Sequence, residues 1–374
     1  MNRNKMGSQI LNIAIRADGG KQIGMGHIMR CLSLANAFRQ GGHRVSFISK
    51  LDEGIERIGL DQFAVIRLPL VEQATKCSFF GDAERLAETC KMIDILSDDK
   101  IDILIIDSYH VNEEYFRTLK PHVKRLVYVD DINAFPYPAD IIVNGNITGK
   151  YLTYRKYNEQ QLLLLGPCYN MIRSEFSHLP VRIVNEQVQE IMLTTGGSDP
   201  YHITTRLLRV MLQHEQCRTL RFNVLVGGGF ANINDLISLQ HSHENVFLFA
   251  NSAIIHEFPE IVYSEISPLM LRSDLAISAG GSSLYEFAAC GTPVMAFIMA
   301  DNQEFIVQKM AELGYIHNLG WHDRLTDNAF MDGLLTLINA VQQRKDMSCK
   351  GQSLVDGKGT ERIVNRIIQS LEAN

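Results

Sequence analysis

Short apolar runs alternate with segments of helical spacing along this chain, and that alternation predicts a βα-type fold. Residues 11–16, rich in isoleucine, predict a first buried strand. A polar loop follows, then Gly24-Met25-Gly26-His27, and residues 31–38 carry helical spacing that stops at Gly41-Gly42. Strands are expected at 44–48, 101–107, 126–129, 140–144 and 162–166. A helix is expected over 83–97, with Leu86, Met92, Ile93 and Leu96 on one face. The run 101–107 has the near-continuous apolar character of a parallel strand buried on both faces.

Periodicity is lost and polar residues rise over 180–189, which places a boundary there and divides the chain into 1–180 and 181–374. The second half restarts the pattern, with strands expected at 191–195, 222–226, 246–249, 274–278 and 293–297. Helices are expected through 211, over 284–289 and 301–313, and at about 360–371. The expected fold is α/β, with two doubly wound Rossmann-like domains facing a cleft.

Open α/β sheets bind ligands at the carboxyl ends of their strands. His27 stands at such an end, where a helix begins, and imidazole can accept a proton near neutral pH. Two glycine-rich turns follow strands in the second half, Thr195-Gly196-Gly197-Ser198-Asp199 and Ser278-Ala279-Gly280-Gly281-Ser282-Ser283. Their backbone amides and hydroxyls suit a diphosphate, and Glu286, one turn into the next helix, suits a ribose diol. The plainer alternatives are tight turns for the glycines, a solvated carboxylate for Glu286, a strand-end aromatic for Tyr109 and a helix cap for Asn302. A G-x-x-x-x-G-K-[ST] loop is absent, and Gly24-x-Gly26 lacks the third glycine of a dinucleotide fingerprint, which disfavours an ATPase and NAD.

Composition narrows the classes further. The 374 residues leave room for two cores. A net charge of −6 offers no basic footprint for nucleic acid. The polar start does not read as a signal peptide, Met6 is a second candidate start, and no apolar run is long enough to insert into a membrane, so a cytoplasmic protein is expected. The seven cysteines, Cys77 among them, form no C-x-x-C pair and are expected to be reduced. His241-Ser242-His243 has no further ligands at metal spacing, so no metal is expected. Asp130-Asp131, the acidic pair at a strand end, reads as a turn before it reads as a metal site.

Gly280-Gly281-Ser282-Ser283-Leu284-Tyr285-Glu286 with Cys290-Gly291-Thr292-Pro293 resembles the UDP-binding signature of GT-B glycosyltransferases of the MurG type. In the first half, Ile15-Arg16-Ala17-Asp18 followed by Ile23-Gly24-Met25-Gly26-His27-Ile28-Met29-Arg30-Cys31-Leu32 resembles the PseG family. These are the UDP-2,4-diacetamido-2,4,6-trideoxy-β-L-altropyranose hydrolases of pseudaminic acid biosynthesis. Asp107-Ser108-Tyr109, Asp130-Asp131, Leu165-Gly166-Pro167-Cys168-Tyr169, Gly196-Gly197-Ser198-Asp199-Pro200 and Asp301-Asn302-Gln303 match in order. One departure stands out: Gly19-Gly20 occupies the place of the family's usual Ala-Ser and resembles the SpsG type of spore-coat polysaccharide protein.

The resemblance implies a UDP-sugar hydrolase acting on a small molecule, with UDP as product and neither cofactor nor metal. His27 would be the general base, with Tyr109 and Asn302 placing water and sugar. Arg16, Asp18, Gly24, Gly26 and Arg30 on the first half would contact substrate. Gly197, Ser198, Gly281, Ser282, Ser283, Glu286 and Gln303 would do so on the second. A diphosphate leaves without a proton, so the paired carboxylates of ordinary glycosidases are not required. A GT-B glycosyltransferase with a UDP-sugar donor is the alternative, and a non-catalytic UDP-sugar-binding protein a third reading.

Overall fold

The computed structural model describes residues 9–20, 23–69, 82–251 and 253–372; Met6 and Cys77 lie outside the described residues. Two compact units are present: Met1–Arg173 with Gly359–Asn374, and Ser174–Lys358.

The first unit holds β1 (Asn12–Ala17), β2 (Arg44–Ser49), β3 (Ala64–Arg67), β4 (Ile103–Asp107), β5 (Arg125–Val129), β6 (Ile141–Asn144) and β7 (Leu162–Leu165). They form one seven-stranded sheet in the order β3-β2-β1-β4-β5-β6-β7. Every pairing is parallel, and Ala17 pairs with Asp107 where the order reverses between β1 and β4. β4 is buried along its whole length, as its sequence requires.

The second unit repeats the plan with β8 (Glu190–Thr194), β9 (Arg221–Leu225), β10 (Val246–Ala250), β11 (Val262–Tyr263), β12 (Leu275–Ala279), β13 (Val294–Ile298) and β14 (Ile316–Trp321). Their order is β11-β10-β9-β8-β12-β13-β14, again all parallel, and Thr194 pairs with Ser278 at the reversal between β8 and β12. Each unit therefore has one switch point, the place where doubly wound sheets open a crevice at strand carboxyl ends. The loops singled out from sequence follow the four strands at these two points.

The structure differs from the expected organisation in three places. The division falls after Arg173, and the C-terminal helix Gly359–Glu372 packs with the first unit. Its Ile363, Val364 and Ile367 are buried in one cluster with Ile13, Ile15 and Phe38. An amphipathic stripe reveals that a helix needs a partner but not which sheet supplies it. The helix Asp82–Asp98 buries Met92, Ile95 and Leu96, while Leu86 is 65% exposed and Ile93 only partly buried. Its N-terminal half turns buried glutamates inward instead. β3, β11 and β14 had no expected counterpart; all three are edge strands, and each is short or carries polar residues, so the apolar signal is small. Among the described residues no helix is long and apolar enough to cross a membrane.

Candidate active site

After β1 the chain turns back on itself, and the backbones of Gly20 and Gly24 pair at 3.2 and 2.8 Å. Gly24 has φ +76°, a region in which other residues are strained. An ideal Cβ on Gly19 would stand 2.6 Å from Cγ1 of Ile28. The absence of a side chain there lets the first turn of the helix Gly26–Gln40 settle on the loop, which gives the Gly19-Gly20 departure a steric reason.

That first turn presents His27 and Arg30 to the end of β4. Nδ1 of His27 lies 2.6 Å from Oδ1 of Asp107. Nη2 of Arg30 also stands 3.1 Å from Nδ1, but its shorter bond, 2.6 Å, goes to Asp107; an unprotonated Nδ1 would meet the carboxylate lone pair to lone pair at the same distance, so Nδ1 carries the proton and donates it. In the neutral ring the other nitrogen, Nε2, is then the acceptor. Arg30 donates to Asp107 through Nε and Nη2, both at 2.6 Å, and the Cys31 thiol adds a contact at 3.4 Å. Burial alone would raise the Asp107 carboxyl, but the Arg30 charge and His27 beside it hold it well below the usual carboxylate range. Asp107 is 1% exposed, a fixed negative charge that sets the ring of His27.

Asp131, just beyond β5, gathers a second set of donors. Its Oδ2 accepts from Nη1 of Arg30 at 2.7 Å and from the Tyr109 hydroxyl at 2.8 Å, and its Oδ1 from Nδ2 of Asn146 at 2.6 Å. The Tyr109 and His27 rings meet edge to face with centroids 4.7 Å apart. Asp130 behaves as the sequence suggested, as a turn residue: it accepts from the backbone of Ile132 and Asn133 and from the hydroxyls of Tyr137 and Tyr154. Asp131 does not; it belongs to the His27 cluster.

Arg16, Asp18 and Arg30, expected to contact substrate, all have protein partners. Nη2 of Arg16 lies 2.7 Å from Oδ2 of Asp18, and its Nε donates to Glu88 at 2.6 Å. Lys50 bridges Glu88 at 2.6 Å and Glu84 at 2.9 Å, and the Tyr115 hydroxyl reaches Glu88 at 2.8 Å. Asp18 also accepts from the Ser49 hydroxyl and from the backbone N–H of Lys50. This buried network ties the ends of β1 and β2 to the helix Asp82–Asp98. His110 is a poor rival base, because burial pushes it down to about 4 against an opposing pull from Asp18. Gly24 and Gly26 are exposed at the loop.

In the second unit the glycine turns differ in what holds them. Asp199 is fully buried and caps the helix Ile203–Gln213, accepting from Ile203 and Thr204 N–H at 2.9 Å each. Gly197 and Ser198 before it are exposed. A Cβ on Gly280 would stand 2.4 Å from Val307, whereas one on Gly281 would meet nothing within 4 Å. Ser282 is exposed, and the helix Ser283–Cys290 opens with no side-chain cap. Within that first turn the N–H groups of Leu284 and Tyr285 already donate to the carbonyls of Gly281 and Ser282, at 3.2 and 3.0 Å. Glu286, partly buried, lies in that first turn. Oε1 of Gln303 accepts from Met299 N–H at 2.9 Å and so braces the neighbouring loop. Asn302 is exposed in the first turn of Asp301–Glu312.

The structure thus brings His27 and Tyr109 together in the first unit, while Asn302 belongs to the second. Sequence reasoning passed over Asp107 and Asp131 as partners. The signal was there: each is an acid that ends an apolar strand at the carboxyl edge. Among the described residues no group of three or more His, Cys, Asp or Glu is placed to hold a metal ion.

No protein-family profile matches the chain. It is 29% identical over 78% of its length to an uncharacterized protein of Methanocaldococcus jannaschii, and spans 57% of that protein. It is 26% identical to the UDP-2,4-diacetamido-2,4,6-trideoxy-β-L-altropyranose hydrolase of Campylobacter jejuni, over 82% of this chain and 98% of that one. To the spore coat polysaccharide biosynthesis protein SpsG of Bacillus subtilis it is 23% identical, over 96% and 98%. The likeness to PseG and SpsG read from the motifs is borne out by these relatives. The structure of Acinetobacter baumannii MurG matches with a TM-score of 0.67 at 14% identity, over 96% of this chain and 99% of that one. That likeness supports the two-domain α/β fold expected from sequence.

Proposed function

We propose that this chain is a hydrolase of UDP-linked 2,4-diacetamido-2,4,6-trideoxy sugars. Water activated by His27 attacks the anomeric carbon, and UDP leaves. The observation that carries the reading is the 2.6 Å contact between His27 and Asp107. It orients the ring and leaves Nε2 to accept a water proton. The hydrolase of Campylobacter jejuni supports the choice of sugar. In this reading the second unit takes the diphosphate on the open turn at Gly281-Ser282-Ser283 and the ribose on Glu286, while Asn302 contacts the sugar. Gly197 and Ser198 serve the same nucleotide.

Residues 24–30 contain no acid, Asp107 is buried and engaged by Arg30, and Asp131 is engaged by Arg30, Tyr109 and Asn146, so in this reading no carboxylate of this cluster forms a glycosyl-enzyme. A single displacement follows, and the anomeric centre inverts. The reaction uses no metal. Turnover in ¹⁸O-labelled water tests all of this. Label is expected in the free sugar and not in UDP, the first-formed anomer by NMR is the inverted one, and EDTA leaves the rate unchanged. Label on phosphorus would sink the reading. Release of UDP only when a sugar acceptor is added would replace it with the transferase.

A further inference from the structure

The hydroxyl of Tyr109 has one proton, and the structure shows where it goes. Oδ2 of Asp131 lies 2.8 Å from the phenolic oxygen and, as an ionised carboxylate, can only accept. The proton therefore points at Asp131, and the phenolic oxygen turns lone pairs outward. Asp131 is held in place on its other sides by Nη1 of Arg30 and Nδ2 of Asn146. Arg30 is in turn clamped to Asp107, so the carboxylate cannot swing away without breaking two further bonds. His27 is arranged by the same logic on the opposite side of Arg30. Its Nδ1 proton goes to Asp107 and its Nε2 is left as an acceptor.

Two aspartates joined by one arginine thus produce two acceptors on rings whose centroids are 4.7 Å apart. We infer that Asp131 is a positioning residue: it takes the Tyr109 proton so that the Tyr109 oxygen and Nε2 of His27 accept the two hydrogens of one water. That water keeps its lone pairs for an electrophile. The inference rests on the hydrolase reading above. As the oxygen–carbon bond forms, the bond to the diphosphate breaks with its electron pair going to UDP. One water proton passes to Nε2 of His27. The other remains on the new sugar hydroxyl, bonded to the Tyr109 oxygen. Tyr109 is thereby an acceptor throughout and never an acid. Tyr109 is 45% exposed, yet its partial burial, and after it the Asp131 charge, push its phenol above the usual range, with Arg30 opposing and Asp107 adding to the rise.

Two measurements test this, and the first needs no substrate. Protein with ¹³Cζ-labelled tyrosine is titrated by NMR, with Tyr109→Phe assigning the resonance. Asp131→Asn is expected to lower the pH at which Tyr109 ionises; an unchanged titration would overturn the inference. The second is a kinetic cycle of Tyr109→Phe, Asp131→Asn and the double variant. Each single change is expected to lower kcat on the order of 10²-fold, as for a displaced reactant, with KM little changed. The double variant should be no slower than the slower single one, because Asp131 acts through Tyr109. Multiplying losses would overturn the inference, as would a Tyr109→Phe enzyme with full kcat. UDP affinity by calorimetry should be the same in all three. A wild-type protein that binds UDP but frees no sugar ends the hydrolase reading, and the titration still decides where the Tyr109 proton resides.

Discussion

Arg30 links Asp107 to Asp131, donating to the first through Nε and Nη2 at 2.6 Å and to the second through Nη1 at 2.7 Å. Arg30 thereby holds two carboxylates in register. Those carboxylates orient the groups proposed to meet water, His27 and Tyr109. Losing one member of such a buried, paired cluster costs about 3–5 kcal/mol, because its partners keep uncompensated charge.

Asp107→Asn separates orientation from binding. The amide cannot hold the Nδ1 proton as the carboxylate does, so the ring takes the other tautomer and Nε2 is lost as a base. Turnover should fall on the order of 10⁴-fold, the scale known for the equivalent change in a Ser-His-Asp triad. UDP affinity should not change, since the proposed nucleotide contacts lie in the second unit. Steady-state kinetics paired with UDP calorimetry checks both. Near-normal turnover in a folded Asp107→Asn protein would remove the dyad from the mechanism.

Two adjacent glycines should respond in opposite ways to alanine. Gly280→Ala places a methyl 2.4 Å from Val307, so it should lower stability by about 1–3 kcal/mol through overpacking. Gly281→Ala meets no protein atom within 4 Å and should leave the urea midpoint unchanged or slightly raised. If the open face of Gly281 is where the diphosphate approaches, that same variant should bind UDP less tightly. Unfolding curves and UDP titrations of both variants decide the matter; full UDP affinity in Gly281→Ala would place the diphosphate elsewhere.

Glu88 sets an acid limit on the first unit. Burial would raise its carboxyl, but Arg16 and then Lys50 bring it down to about 2 from 4.5. A group whose folded pKa is depressed stabilises above its unfolded pKa and loses that contribution as pH falls through the folded value. The contribution, roughly 3 kcal/mol at 1.36 kcal/mol per pKa unit, should be full above about pH 5 and fade between pH 4.5 and 2. Glu88→Gln should be less stable at pH 7 and show a flatter decline over that window. Urea midpoints measured from pH 7 to 3 test it; parallel curves for wild type and variant would show that the Arg16–Glu88 pair does not matter to stability.

The sequence by itself determined the βα alternation and the positions of His27, Tyr109 and both glycine turns at strand ends. Apolar runs such as β4 and β12 can satisfy themselves only inside a sheet, and the loops after them must then emerge at one edge. It did not reveal that Gly359–Glu372 packs with the first unit, because a stripe of Ile363, Val364 and Ile367 is complementary to either sheet. Nor did it reveal which of the residues expected at the site have ionic partners within the protein. Arg16, Asp18 and Arg30 sit in the same motifs as His27, yet Arg16 pairs with its neighbour Asp18 and with Glu88, 72 positions on, and Arg30 with Asp107 and Asp131, 77 and 101 positions on. Charge pairing is a property of distance in space, and only the tertiary structure brings β1, β4 and β5 side by side so that acids from separate strand ends can claim one arginine.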